Sequence, residues 1–163
     1  MLSIVSSPLS RLRERAGVRV LPLAALLLAP ALALAQATPA GLWKTIDDNT
    51  KKEKSFVRIV ETGGVYTGRV ERIVDPDAPK DAVCKDCSDE RKDKPVLGMT
   101  ILRGVKASAS DPATFEGGDI LDPNNGKVYK VRLKVVDNGS KLDVRGYIGT
   151  PMLGRTQTWV RAE

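Results

Sequence analysis

From residue 36 onward, no stretch of ten positions carries apolar residues at helical spacing. The apolar residues alternate with polar ones instead. The cleanest run is Lys127 to Val136, where Tyr129, Val131, Leu133 and Val135 lie on one face and Lys130, Arg132 and Lys134 on the other. A period of two is the signature of a strand with one covered face, so the chain is restricted to β architectures.

Turn residues divide the rest of the sequence into similar runs. Strands are expected at Trp43 to Asp47, Lys54 to Glu61, Val65 to Val74, Val96 to Val105, Thr114 to Leu121, Lys127 to Val136, Lys141 to Ile148 and Arg155 to Arg161. Gly63-Gly64 between two β-branched runs and Asp137-Asn138-Gly139-Ser140 read as hairpin turns. In Asp122-Pro123-Asn124-Asn125-Gly126, proline fixes one φ while Asn and Gly accept positive φ. Sequential antiparallel strands joined mostly by tight turns favour an all-β, eight-stranded, antiparallel up-and-down barrel, which removes the exposed edges. A two-sheet sandwich is the competing architecture. A barrel of this size is either filled by side chains or holds one small ligand.

Residues 1–35 read as a signal peptide, 36–40 as a short N-terminal linker and 41–163 as a single barrel domain. Arg11, Arg13, Arg15 and Arg19 precede the apolar run Leu21 to Leu34, which ends in Ala33-Leu34-Ala35 before Gln36. The run is shorter than the ~20 residues of a membrane span and is interrupted by Pro22 and Pro30. The expected product is a periplasmic or secreted protein cleaved near Ala35, with no stable membrane insertion. The segment carries half of the formal charge of +6. Removing its four Arg and one Glu from the totals of 26 and 20 leaves 22 basic and 19 acidic residues, interspersed, which argues against a nucleic-acid partner. The chain has no histidine, which excludes a Ser-His-Asp or Cys-His site within it and removes the commonest metal ligand.

Several motifs together resemble the bacterial domain-of-unknown-function family 2147. They are Gly41-Leu42-Trp43-Lys44-Thr45-Ile46-Asp47-Asp48, Cys84-x-x-Cys87, Gly98, Ile120-Leu121-Asp122-Pro123 and Gly126-Lys127-x-Tyr129. The most distinctive are Val144-Arg145-Gly146-Tyr147-Ile148-Gly149 and Leu153-Gly154-Arg155-Thr156-Gln157-Thr158-Trp159. The resemblance spans about residues 40–162 and implies an exported bacterial protein with a lipocalin-like barrel; it brings no activity or ligand. The Gly-x-Trp of the first strand is also similar to that of the wider lipocalin-like group. That likeness implies that Trp43 plugs the closed end of the barrel under an arginine from the last strand, either Arg161 or Arg155. Trp159 belongs to the same candidate plug or, equally, to a ligand pocket.

Cys84 and Cys87 sit in the longest irregular stretch, residues 75–95. A structural disulfide ranks first, since an exported chain meets an oxidising compartment. Redox chemistry ranks second, because Asp81, Asp86 and Asp89 oppose thiolate formation. A zinc site ranks third, since it needs about four ligands. The run Asp89 to Lys94 reads as a solvated face. Asp47 and Asp48 point to opposite faces if extended, so a turn role is expected for the pair.

No catalytic residue, metal ligand or cofactor is assigned. The expected role is a binding module for a small amphipathic ligand, held at the mouth opposite Trp43. Candidate walls are Phe56, Arg58, Tyr66, Tyr129, Arg145 and Tyr147, with Phe56–Arg58 and Arg145–Tyr147 each sharing a face. The alternatives are outer-face cross-strand pairs on a filled barrel that docks on an envelope protein partner, or a histidine-free enzyme.

Overall fold

The computed structural model describes residues 37–163; the signal segment read over 1–35 lies outside the described residues. Eight strands follow one another: β1 (Gly41–Ile46), β2 (Glu53–Thr62), β3 (Val65–Ile73), β4 (Thr100–Ala107), β5 (Thr114–Asp122), β6 (Lys127–Val136), β7 (Lys141–Tyr147) and β8 (Arg155–Arg161). Each pairs antiparallel with its neighbours in the chain, and β1 pairs with β8, so the sheet closes into an up-and-down barrel. Two short 3-10 turns, Asp137–Gly139 and Pro151–Leu153, complete the described elements.

The strands fall where alternation and turn residues place them, with one shift. The fourth begins at Thr100 rather than at Val96. Val96 belongs to the preceding loop, where its N–H donates to the Ala82 carbonyl at 2.8 Å. The barrel wall therefore resumes only after that loop has folded on itself.

The inward faces carry Val57 and Ile59 of β2, Val131 and Leu133 of β6, and Leu142 and Val144 of β7, all buried. Residues between them point outward because successive side chains alternate across a strand.

One end of the barrel is closed by Trp43, whose residue exposure is 0%. The Arg161 guanidinium lies 4.1 Å from the centroid of its ring. Trp43 and Arg161 are directly opposite each other in the β1–β8 register. The indole Nε1 donates to the Pro39 carbonyl at 2.7 Å. Arg161 donates from Nη1 to the Ala40 carbonyl and from Nη2 to the Thr38 carbonyl, both at 2.9 Å, and from Nε to the Gly139 carbonyl. The stretch read as a linker is thus fastened to the barrel end at residues 38–40. Gly41 makes the stack possible: a Cβ there would sit 2.4 Å from Arg161 Nη1, and its φ of +138° disfavours any other residue. Tyr66 and Phe115 pack edge to face at the same end, with ring centroids 5.1 Å apart.

Trp43→Ala should lower the unfolding free energy by about 3–5 kcal/mol, through lost burial plus the cavity left behind. Urea denaturation of the two proteins checks this; an unchanged midpoint would show that Trp43 does not hold the closed end.

Candidate functional site

The opposite end of the barrel is hollow. A cavity of about 770 Å³ opens among the ends of β1, β3, β5 and β7, the starts of β2, β4, β6 and β8, and the loops between them. Its walls are largely apolar, formed by Val70, Ile101, Ile120, Leu121, Val144 and Trp159, joined by Tyr129 and Gln157. Its mouth is charged. Lys54 Nζ stands 3.2 Å from an Asp75 carboxylate oxygen and 3.7 Å from one of Asp47. Arg155 pairs with Asp48 across the rim.

Asp47 forms the turn expected of it. Its Oδ1 accepts from the Thr50 N–H at 2.8 Å, the Asn49 N–H at 3.0 Å and the Thr50 hydroxyl at 3.0 Å. The Thr50 bonds hold the Asp47 carboxyl at about 2, below its ordinary 3.8, with help from Asn49 and the Lys54 charge. Asp75 is lowered by the Asp77 N–H and by Lys54, while Lys54 is raised by its bond to Asp75. Each of these three groups is pushed toward its charged form.

The long loop between β3 and β4 covers part of the mouth, with Ala78, Ala82 and Val96 in the cavity lining. Cys84 and Cys87 form a disulfide within it, and both are buried. The loop rests against the β5–β6 turn at Gly126, where a Cβ would come within 2.0 Å of the Asp86 carbonyl oxygen. Asp122 shapes that turn by accepting from the Asn124 N–H at 3.0 Å and from the Asn125 amide at 2.9 Å.

The run Asp89 to Lys94 is not simply a solvated face. Arg91 is 5% exposed. Its Nε sits 3.0 Å from Asp89 Oδ2, and its Nη1 donates to the Thr100 carbonyl at 3.1 Å. Arg91 therefore staples the loop to the start of β4. The hydrogen bonds it accepts from the Arg91 side chain and backbone N–H lower the Asp89 carboxyl to about 2.

Of the candidate wall residues, Tyr129 and Tyr147 line the cavity. Phe56 and Arg58 do not, because Val57 and Ile59 take the inner face of β2. Outside, the Arg72 guanidinium lies 4.2 Å from the Phe56 ring centroid. Arg58 donates to both Glu71 carboxylate oxygens, at 2.6 and 3.1 Å, and to Glu163 at 3.1 Å. Arg145 is also outside the cavity. It donates to the Pro151 carbonyl at 2.6 Å, the Thr156 hydroxyl at 2.8 Å and the Met152 carbonyl at 3.3 Å, bracing the β7–β8 loop. Arg145 and Tyr147 do share a face of β7, opposite Arg132 and Lys130 of β6, and Tyr147 meets the cavity where the strand ends. Tyr66 belongs to the closed end, where burial pushes its phenol pKa up. Arg155 and Trp159 line the cavity, so of the two candidate arginines it is Arg161 that lies over Trp43.

Alternation alone missed the aliphatic lining and the Asp47–Lys54–Asp75 cluster. The aliphatic residues carry no chemical signal of their own, and the cluster joins a turn, a strand and a loop. Among the described residues, no group of three or more Cys, Asp or Glu side chains is placed to hold a metal ion.

Asp47 and Asp89 have depressed pKa values in the folded protein. Their contribution to stability is therefore present above the unfolded value of about 4 and lost as pH falls toward about 2. Amide exchange at Thr50 and Arg91 should accelerate over that window. Asp47→Asn should remove the pH dependence at Thr50 and leave it at Arg91; identical profiles in both proteins would contradict the assignment.

A family model described as "Uncharacterized protein conserved in bacteria (DUF2147)" matches residues 41–161. Among solved structures, the chain is similar to one titled "Protein HP1028 from the human pathogen Helicobacter pylori belongs to the lipocalin family". That match has 23% identity and a TM-score of 0.66, covering 78% of this chain and 84% of the other. No curated protein matches.

Proposed function

Because the chain belongs to the DUF2147 family of uncharacterized bacterial proteins and folds as a lipocalin-like barrel, we propose that it is an exported binding module that holds a small amphipathic ligand in its open end. The observation that carries this reading is the cavity. At about 770 Å³ it falls within the ~300–1,000 Å³ of small-molecule sites, and it combines apolar walls with a few polar groups at the mouth. A barrel built only as an envelope scaffold has no use for such a volume.

Binding suits the mouth better than acid–base catalysis does. That chemistry needs groups whose pKa values are driven apart toward neutral forms. Asp47, Asp75 and Lys54 are instead held charged. Export is supported by the order of basic, apolar and small residues over 1–35 and by the disulfide, which persists in oxidising compartments. Docking on an envelope partner is a second reading, favoured by the exposed Ile148, Met152 and Leu153 of the β7–β8 loop beside the cavity.

Ligand capture is tested with an anilinonaphthalene sulfonate probe and by native mass spectrometry of protein taken from the envelope of its own host. Wild type should bind the probe with one site per chain. Ala78→Trp, at the mouth, should weaken binding at least about tenfold with little change in melting temperature. Absence of probe binding and of any co-purifying molecule would overturn the proposal.

A further inference from the structure

The loop from β7 to β8 presents apolar side chains to solvent. Among the described residues, the three most exposed large apolar side chains are Met152 at 89%, Leu153 at 82% and Ile148 at 68%, and all three lie in this loop. The run Ile148-Gly149-Thr150-Pro151-Met152-Leu153-Gly154 contains no charged residue. Apolar residues scattered singly over a surface are ordinary, whereas a cluster of them marks a contact site. The loop is also held in shape. Pro151–Leu153 form a 3-10 turn, in which the Leu153 N–H donates to the Thr150 carbonyl and the Gly154 N–H to the Pro151 carbonyl, both at 3.2 Å. Arg145 donates to the Pro151 and Met152 carbonyls. At Gly154 the chain returns so closely that a Cβ would sit 2.6 Å from the Gly146 carbonyl oxygen. A fixed turn therefore displays the apolar residues, and its carbonyls at Pro151 and Met152 already have donors.

The charge beside the loop decides what kind of partner fits. Arg145 directs its donors at the Pro151 and Met152 carbonyls and the Thr156 hydroxyl, so no carboxylate offsets its charge. Its register partner on β6 is another cation, Arg132, which is paired with Glu116. Lys130 lies between Tyr147 and Asp119 in register and makes no ion pair among the described residues. Arg155, where the chain enters β8, is paired with Asp48. Asp47 and Asp75 stand with Lys54 at the β1–β2 and β3–β4 side of the mouth. The surplus next to the apolar loop is therefore positive. A second copy of this chain would bring like charges together. Anionic headgroups over a hydrocarbon phase match both features, and a backbone entering that phase needs its polar groups satisfied beforehand, as the carbonyls of this turn are.

We propose that the β7–β8 loop docks the barrel on an anionic phospholipid surface. Ile148, Met152 and Leu153 enter the boundary between headgroups and acyl chains, and Arg145 and Lys130 lie against lipid phosphates. The contact is peripheral and reversible, since a few apolar side chains and a few cations hold it. Ile148 and Leu153 also belong to the cavity lining, so docking sets the open end of the barrel on the bilayer. The inference rests on the envelope-docking reading of this loop and is independent of what the cavity holds.

The experiment measures co-sedimentation of protein purified from the host envelope with vesicles of phosphatidylethanolamine and phosphatidylglycerol, and with vesicles of phosphatidylcholine alone. Wild type should bind the anionic vesicles at least about tenfold more tightly, and Lys130→Gln should weaken that binding about fivefold. Met152→Ser with Leu153→Ser should weaken it at least about tenfold. Both side chains are exposed, so the melting temperature should not move. In Met152→Trp, anionic vesicles should shift the added indole emission to the blue, and brominated acyl chains should quench it. Wild type that binds neither vesicle or binds both equally, a doubly serine-substituted protein that binds as well as wild type, or Met152→Trp emission that vesicles leave unchanged would overturn the inference. So would a dimer or a captured protein that the serine substitutions abolish while wild type ignores vesicles. Capture of the anilinonaphthalene sulfonate probe is read without vesicles on the same samples. Probe capture without vesicle binding would overturn the docking alone and leave the cavity's role standing.

Discussion

Arg161 stacked on Trp43 holds both the closure of the barrel and the closure of one of its ends. The two residues are register partners across the β1–β8 seam, the one junction that brings together the first and last strands of the barrel. A guanidinium this enclosed would be costly if unsatisfied, and burial alone lowers its pKa. Here its hydrogen bonds go to backbone carbonyls at Thr38, Ala40 and Gly139, and its face rests on the indole. Those carbonyls come from the segment before β1 and from the β6–β7 turn. One side chain thereby joins three parts of the chain that are distant in sequence. The stack also needs the missing side chain at Gly41, so the short Gly41-x-Trp43 pattern and Arg161 act as a single device.

A plug at one end leaves the other end to be filled or left open. At the closed end Trp43, Tyr66 and Phe115 pack together and fill the interior. At the open end Val70, Ile101, Val144 and Gly146 stand beside Tyr129 and Trp159 in the lining, and together they leave a cavity of about 770 Å³. The loop between β3 and β4 narrows the mouth without sealing it. Its disulfide encloses a short loop and so adds little chain entropy. Its effect is to hold a compact shape that Gly126 receives on one side and Arg91 anchors on the other. Charged groups work similarly: Asp47 at the mouth and Asp89 in the loop fix turns with the same bonds that keep them ionised.

Much of the wall was legible in the sequence, whereas the lining of the cavity was legible only in part. Tyr129 could be placed inside because β6 alternates cleanly between aromatic or aliphatic residues and Lys or Arg. β2 gave no such choice from chemistry alone, since Phe56 competes with Val57 and Ile59 for the inner face. The aliphatic pair won because it packs into the continuous core, and Phe56 found Arg72 outside. Arg145 looked like a ligand-binding cation in a strand; its donors are used by the neighbouring β7–β8 loop, a contact between residues whose spacing predicts nothing. Arg91 was concealed in a run of alternating charges, and only the folded loop shows that one of them is buried.

The sequence by itself determined the number of strands, their order, their approximate limits and the turns between them. Those properties follow from a period of two and from residues that accept turn dihedrals, both of which act over a few neighbouring positions. Tertiary structure alone decided which face of each ambiguous strand turns inward, which arginine meets Trp43, and that one end of the barrel stays hollow. Facing and pairing are settled by all eight strands closing together. A cavity is the volume left after every side chain has packed, and no single residue or local pattern carries it.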